Sequence, residues 1–300
     1  MRLAILCSGQ GGQHPEMFDL ARSNAEVANH IRQWNLPSAD DLFANRQAQA
    51  LIVGAGCGNW LAMQPLIPIP YLVAGYSVGE VTALAVAGVL PAATAVALAK
   101  ARAVMMDACV AADAPQALAA VSGLRRGCLA KLLASAREQP ALHVAIENGV
   151  DQCIIGGVAS SLDAVQPVLE HAGATVQTLK VSVASHTPWM EGAVMPLETR
   201  MASLNFLAPR IRLLSGVSAE SLVDGAAAAR SLALQLTHTI RWSACMDTLA
   251  ESGVDIVLEL GPGAALSRML AQRHPHIACR SVSEFRSIDG IRRWIDRANA

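Results

Sequence analysis

The chain has 300 residues, of which 53% are hydrophobic and 16% charged, and its formal net charge is −1 at pH 7. Such a composition can bury a large core and excludes a disordered chain, and it offers nucleic acid no basic surface to bind. The length fits one large domain or a core that carries a smaller insertion.

Residues 3–7 are a short apolar run, read as a first strand, that leads into Ser8-Gly9-Gln10-Gly11-Gly12-Gln13. This loop has three readings. It is a flexible turn, or a phosphate loop that lacks the GK[ST] normally following one, or the source of a backbone N–H, on Gln10, for an oxyanion hole. Residues 1–10 carry a single arginine, Arg2, and an apolar run too short for a signal peptide. Helical patterns cover residues 17–33 and 47–63, after which Pro65, Pro68 and Pro70 mark a loop into the next strand.

That strand ends in Gly75-Tyr76-Ser77-Val78-Gly79-Glu80, and a helix is predicted from residue 81. Gly-Tyr-Ser-Val-Gly matches the nucleophile elbow, in which a serine sits on a sharp strand-to-helix turn. Side chains at either glycine would crowd the turn, and the helix N-terminus supplies N–H groups that favour negative charge. The competing reading is a tight strand–helix connection with no chemistry. Residues 81–99 are uncharged over a length that can span a membrane, but Gly88 and Pro91 divide them. Two buried helices are expected instead, the second over residues 92–109. Arg102 lies within it among Ala101, Ala103 and Val104, and spacing alone favours a surface position, with the stem covering apolar neighbours.

From about residue 114 the pattern reads strand 119–124, helix 127–138, strands 142–147 and 152–158, helix 161–171 and strand 175–183. That βαββαβ order is the split βαβ arrangement of ferredoxin-like units. It suggests a small subdomain over 114–181 inserted into a large one made of 1–113 and 182–300. Beyond it, Ser182-Val183-Ala184-Ser185-His186 ends a strand, residues 188–204 are helical, and strands at 210–215, 255–260 and 277–282 alternate with further helices. The fold class expected is α/β: a hydrolase-like, mostly parallel sheet covered by helices on both faces, plus the α+β insertion.

The seven cysteines form no CxxC pair, which points to reduced thiols in a cytoplasmic protein and to no metal site. A catalytic serine needs a base. Of the eight histidines, His186 and His238 lie at element edges, where the active-site residues of α/β proteins gather, and His14 lies near the first glycine loop. His186 ranks first because it is placed at a strand end, as Ser77 is.

Taken together and in order, Gly9-Gln10-Gly11, Gly75 to Glu80, Arg102, Ser185-His186, Gln235-Leu236 with Arg241-Trp242, and Gly261-Pro262-Gly263 resemble the malonyl-CoA:acyl carrier protein transacylases over essentially the whole chain. The resemblance implies that Ser77 is the nucleophile and His186 its base, with the main-chain carbonyl of Gln235 orienting the imidazole. It makes the N–H groups of Gln10 and Val78 the oxyanion hole and sets Arg102 against the malonyl carboxylate, reversing the surface reading. Asn148 matches a family asparagine near the site. Malonyl-CoA is then the substrate and an acyl carrier protein the partner, with no permanently bound cofactor, no metal, no membrane and no nucleic acid.

The chain departs from the family in three places. Cys7-Ser8 stands where Phe-Pro is usual, Tyr76 where His is usual, and His238-Thr239 where Asn-Pro is common. The Gly-Tyr-Ser-Val-Gly-Glu variant is similar to the epsilon (transacylase) subunit of bacterial malonate decarboxylase, which implies other subunits of that complex as partners. The alternative is a malonyl transacylase of fatty-acid or polyketide synthesis. Two rivals belong to other classes. One is an α/β-hydrolase with Glu259 and His274 or His276 completing a triad, and the other is a scaffold that docks a carrier protein without turnover.

Overall fold

A computed structural model describes residues 1–135 and 141–298. Its strands are β1 (Leu3–Cys7), β2 (Leu72–Gly75), β3 (Gln116–Ser122), β4 (His143–Glu147), β5 (Gln152–Val158), β6 (Thr175–Thr178), β7 (Arg212–Leu214), β8 (Ser221–Leu222), β9 (Ile256–Leu260) and β10 (Ala278–Ser281). The helices are α1 (Asp19–Arg22), α2 (Ala25–Gln33), α3 (Asn45–Met63), α4 (Gly79–Val86), α5 (Ala92–Asp107) and α6 (Arg126–Ser135). Then follow α7 (Ala159–His171), α8 (Glu191–Ala202), α9 (Gly225–Leu234), α10 (Trp242–Glu251), α11 (Ala265–Arg273) and α12 (Ile288–Ala298).

The large sheet has the order β10-β9-β1-β2-β7-β8 and is parallel except for β8. Every residue of β1 is buried, yet the strand still alternates. Leu3, Ile5 and Cys7 face a core formed with α3, α4 and α5, and Ala4 and Leu6 face a second core with α10 and α11. A strand covered on both faces has no polar side to show, which is why it reads as one apolar run. Each fully buried Leu or Ile contributes roughly 1.5–3 kcal/mol.

The second sheet is antiparallel, in the order β4-β5-β3-β6, with α6 and α7 against one face. That is the ferredoxin-like arrangement expected from the βαββαβ order. Ala119, Val121 and Ile155 face its own core, whereas Leu118 and Ile154 face the large unit beside Tyr76 and Trp242. Backbone bonds tie the two units together, from Glu147 N–H to Ile240 O at 2.8 Å and from Ile240 N–H to Ala145 O at 2.9 Å.

Several expected elements differ. The pattern over 17–33 is broken at Ser23-Asn24, where the Asn24 side chain accepts from the N–H groups of Glu26 and Val27 and starts a new helix. The strand expected over 175–183 stops at Thr178, so His186 does not end a strand. The end of the helix expected at 136–138 lies outside the described residues. Residues 81–99 do divide as expected, between α4 and α5, and no described helix is long and apolar enough to cross a membrane.

Candidate active site

The pairing of β1 with β2 determines where the site lies. Cys7 stands beside Gly75, so the loops that follow both strands leave the same edge of the sheet side by side. The Tyr76 N–H donates to Cys7 O at 3.0 Å and locks them together. A Cβ on Gly75 would overlap the backbone of Glu80, and one on Gly79 would overlap the carbonyl of Cys7, so both elbow glycines are sterically required. Between them Ser77 takes a left-handed φ of 55°, which costs a residue with a side chain of order 1–3 kcal/mol and exposes its hydroxyl at the start of α4. Ser77 is half-buried.

His186 comes to Ser77 from the irregular segment that follows β6. Its φ is 64°, its N–H donates to Leu236 O at 2.8 Å, and the Gln116 side chain pins the preceding backbone by accepting from Ala184 N–H at 2.8 Å. Ser77 Oγ lies 2.8 Å from His186 Nε2, and His186 Nδ1 lies 2.6 Å from the backbone carbonyl of Gln235. A carbonyl only accepts, so Nδ1 carries the proton and the lone pair of Nε2 faces the serine. Burial, helped by the nearby positive charge of Arg102, pushes the imidazole down to about 3. It is therefore neutral and basic in function at ordinary pH.

Arg102 is 1% exposed, which corrects the surface position that its spacing suggested. Its Nη1 donates to Gln49 Oε1 at 2.7 Å and its Nη2 to Gln235 Oε1 at 3.0 Å. Its Nε is also buried and has no partner among the described residues. Burial lowers the guanidinium to about 10, so it remains charged at neutral pH. The Gln10 and Val78 N–H groups donate to no acceptor among the described residues, and Val78 immediately precedes the first turn of α4. Asn148, in the turn between β4 and β5, accepts from the Tyr76 hydroxyl at 3.1 Å. The Tyr76 ring meets Trp242 of the same unit edge-on at 5.2 Å, and its hydroxyl bond to Asn148 links the large unit to the small one.

Gln49 and Glu80 belong to this network although the sequence marks neither with a role. Glu80 is 1% exposed and accepts from Gln235 Nε2 at 2.5 Å. The signal available for Gln49 was a polar residue within α3, a helix that is buried almost along its whole length.

The rival triad is not assembled. Glu259 accepts from Ser8 Oγ at 2.8 Å and from the N–H and hydroxyl of Ser267 at 2.8 and 2.7 Å, and so caps α11. His274 sits on Asp247 at 2.9 Å, beside Arg273. His14 pairs with the exposed Glu16, and His238 contacts Thr237. Among the described residues no cluster of metal-ligating side chains occurs.

The acyl transferase domain family matches residues 57–288. This chain belongs to that family. Among curated relatives, it is 32% identical to the malonyl CoA-acyl carrier protein transacylase of Mycobacterium tuberculosis, over 96% of this chain and 99% of that one. It is 26% identical to the corresponding protein of Haemophilus influenzae, over 98% and 99%. Among solved structures, the acyl carrier protein S-malonyltransferase of Vibrio cholerae superposes with a TM-score of 0.88 at 28% identity, over 97% of this chain and all of that one. The Burkholderia pseudomallei acyl-carrier-protein S-malonyltransferase gives 0.90 at 25%, over 98% and 100%. The acyl transferase fold thus covers both sheets of this chain.

Proposed function

We propose that this acyl transferase moves a malonyl group from malonyl-CoA to the prosthetic-group thiol of an acyl carrier protein, through a malonyl ester on Ser77. The observation that carries the reading is a buried guanidinium, Arg102, joined through Gln235 to the Ser77–His186 pair. A serine and a neutral imidazole 2.8 Å apart suit acyl transfer in general, and a buried cation suits an acyl group that ends in a carboxylate.

In the first half-reaction His186 Nε2 takes the Ser77 proton as Oγ attacks the thioester carbonyl. The N–H groups of Gln10 and Val78 hold the oxyanion, and Arg102 holds the malonyl carboxylate. Collapse of the tetrahedral adduct breaks the C–S bond, and the imidazolium gives its proton to the departing thiolate. The carrier's thiol then attacks the ester, with His186 handling the proton in the same way. The Gln235 carbonyl replaces the carboxylate of a conventional triad: it fixes the tautomer and adds no negative charge.

The relatives' names favour a carrier-protein transacylase of fatty-acid or polyketide synthesis over the malonate decarboxylase subunit, for which the Gly75–Glu80 variant is the sole argument. Intact-protein mass spectrometry tests the reading. Malonyl-CoA alone should add one malonyl mass, and the phosphopantetheinylated carrier should then remove it and gain it. No adduct would identify a scaffold, and an adduct discharged quickly by water alone would identify a hydrolase.

A further inference from the structure

Glu80 is a buried charge to which the reaction above assigns no part. It lies in the first turn of α4, shortly after Ser77. Its Oε2 accepts from Gln235 Nε2 at 2.5 Å and from the Gly216 N–H at 3.3 Å, and its Oε1 accepts from the Ser231 hydroxyl at 3.2 Å. Gln235 in turn touches Ser77, His186 and Arg102. Its backbone carbonyl lies 2.6 Å from His186 Nδ1, its Nε2 donates to Ser77 O at 3.1 Å, and its Oε1 accepts from Arg102 Nη2 at 3.0 Å. The two ends of an amide are alike in shape, but one end donates and the other accepts. A carboxylate only accepts, so Glu80 draws the donor end of Gln235 towards itself and leaves the acceptor end to Arg102.

We propose that Glu80 is a positioning residue that, by holding the Gln235 side chain in this orientation, keeps the carbonyl of the same residue aimed at His186 and so sets the reactivity of Ser77. The inference rests on the Ser77–His186 reading, but not on malonyl as the acyl group.

Its state of charge follows from its surroundings. From α5, Arg102 favours the carboxylate, and from α10, Cys245 faces it as a neutral thiol pushed up to about 12. From α9 comes Ser231, from the cap that ends it Gln235, and after β7 the Gly216 N–H, none of them titratable. Burial outweighs these favourable contacts and raises the Glu80 carboxyl to about 7. Below that pH the group gains a proton, and its charge-assisted bond to Gln235 weakens. His186, held down to about 3, stays neutral over the same range and titrates elsewhere. A loss of serine reactivity between those two values is therefore the signature of Glu80.

A fluorophosphonate tests this without any malonyl recognition. Ser77 Oγ bonds to phosphorus, the P–F bond breaks, fluoride leaves and His186 receives the serine proton. The labelling rate is measured on the full chain from about pH 5 to about pH 9, and each rate is normalised to the final amount of labelled serine so that misfolded protein drops out. The wild-type rate is expected to fall about tenfold as pH falls through about 7, and Glu80→Gln to be about tenfold slower at high pH and to lack that limb. Glu80→Asp keeps the charge and should keep the limb. A Glu80→Gln rate equal to wild type, or an unchanged acid limb in that variant, overturns the proposal. If Glu80→Gln does not fold, a wild-type rate that is flat over the whole range from about pH 5 to about pH 9 overturns it equally. Failure of the wild type to label would remove the serine nucleophile and this proposal with it, whereas failure to form a malonyl adduct would leave this proposal standing.

Discussion

Replacing Arg102 by Ala tests what the site recognises, and the structure fixes the size of the effect. The guanidinium has five N–H donors, and two of its nitrogens already donate to the amide oxygens of Gln49 and Gln235. With the residue 1% exposed, bulk water is largely shut off from the remaining donors. A malonyl carboxylate would satisfy them with charge-assisted bonds, whereas acetyl would leave them unpaired, a difference of about 1.5–3 kcal/mol or roughly 10- to 100-fold. Removing the cation removes that preference. Arg102→Ala should therefore lower kcat/KM for malonyl-CoA by about 100-fold while acetyl-CoA stays within about threefold, since the desolvated charge is gone along with its partners. Arg102→Lys should fall between the two, because an ammonium keeps the charge without the planar fork. The assay is transfer to the carrier, measured for both thioesters in all three proteins. An equal fall for malonyl and acetyl would show that Arg102 supports the site only structurally, and no change in either would refute the carboxylate role.

Two further substitutions separate structural from catalytic groups. Glu259→Gln should leave transfer near wild type while costing about 1–3 kcal/mol in denaturant unfolding, because it weakens the cap of α11, whereas His186→Ala should abolish transfer. Comparable losses of transfer in both variants would revive the hydrolase triad. Gly79→Ala should destabilise the fold by about 1–3 kcal/mol or more, because its Cβ would overlap the Cys7 carbonyl, and a normal thermal midpoint in that variant would contradict the tight β1–elbow contact.

How much of this was legible in the sequence depended on how local the cause was. The elbow could be read because Gly75, Ser77 and Gly79 fall within one short stretch, although the group that requires Gly79 is the distant Cys7 carbonyl, and β1 because a strand buried on both faces can stay apolar throughout. The position of Arg102 could not be read from spacing. α5 carries small or apolar side chains around most of its circumference, so nothing in its own pattern says which side α3 and α8 will cover. The extension of β6 towards His186 misled for a related reason. Val181 and Val183 alternate as strand residues do, yet Val183 is buried in the core of the large unit, and the chain is crossing between sheets there. Glu80 and Gln235 are far apart in sequence, and only the tertiary fold brings their side chains to 2.5 Å. The resemblance to a family supplied what spacing could not for Arg102 and Gln235, but it gave no role to Gln49 or Glu80.

The proposed reaction passes through a malonyl ester on one serine, and peptide mapping locates that ester. Wild-type protein and Ser77→Ala are each mixed with malonyl-CoA, quenched in acid, digested and sequenced by tandem mass spectrometry. A malonyl mass is expected on Ser77 in the wild type, discharged on addition of the carrier, and no malonyl peptide in Ser77→Ala. A malonyl group mapped to another residue, or an undiminished adduct in Ser77→Ala, would contradict it.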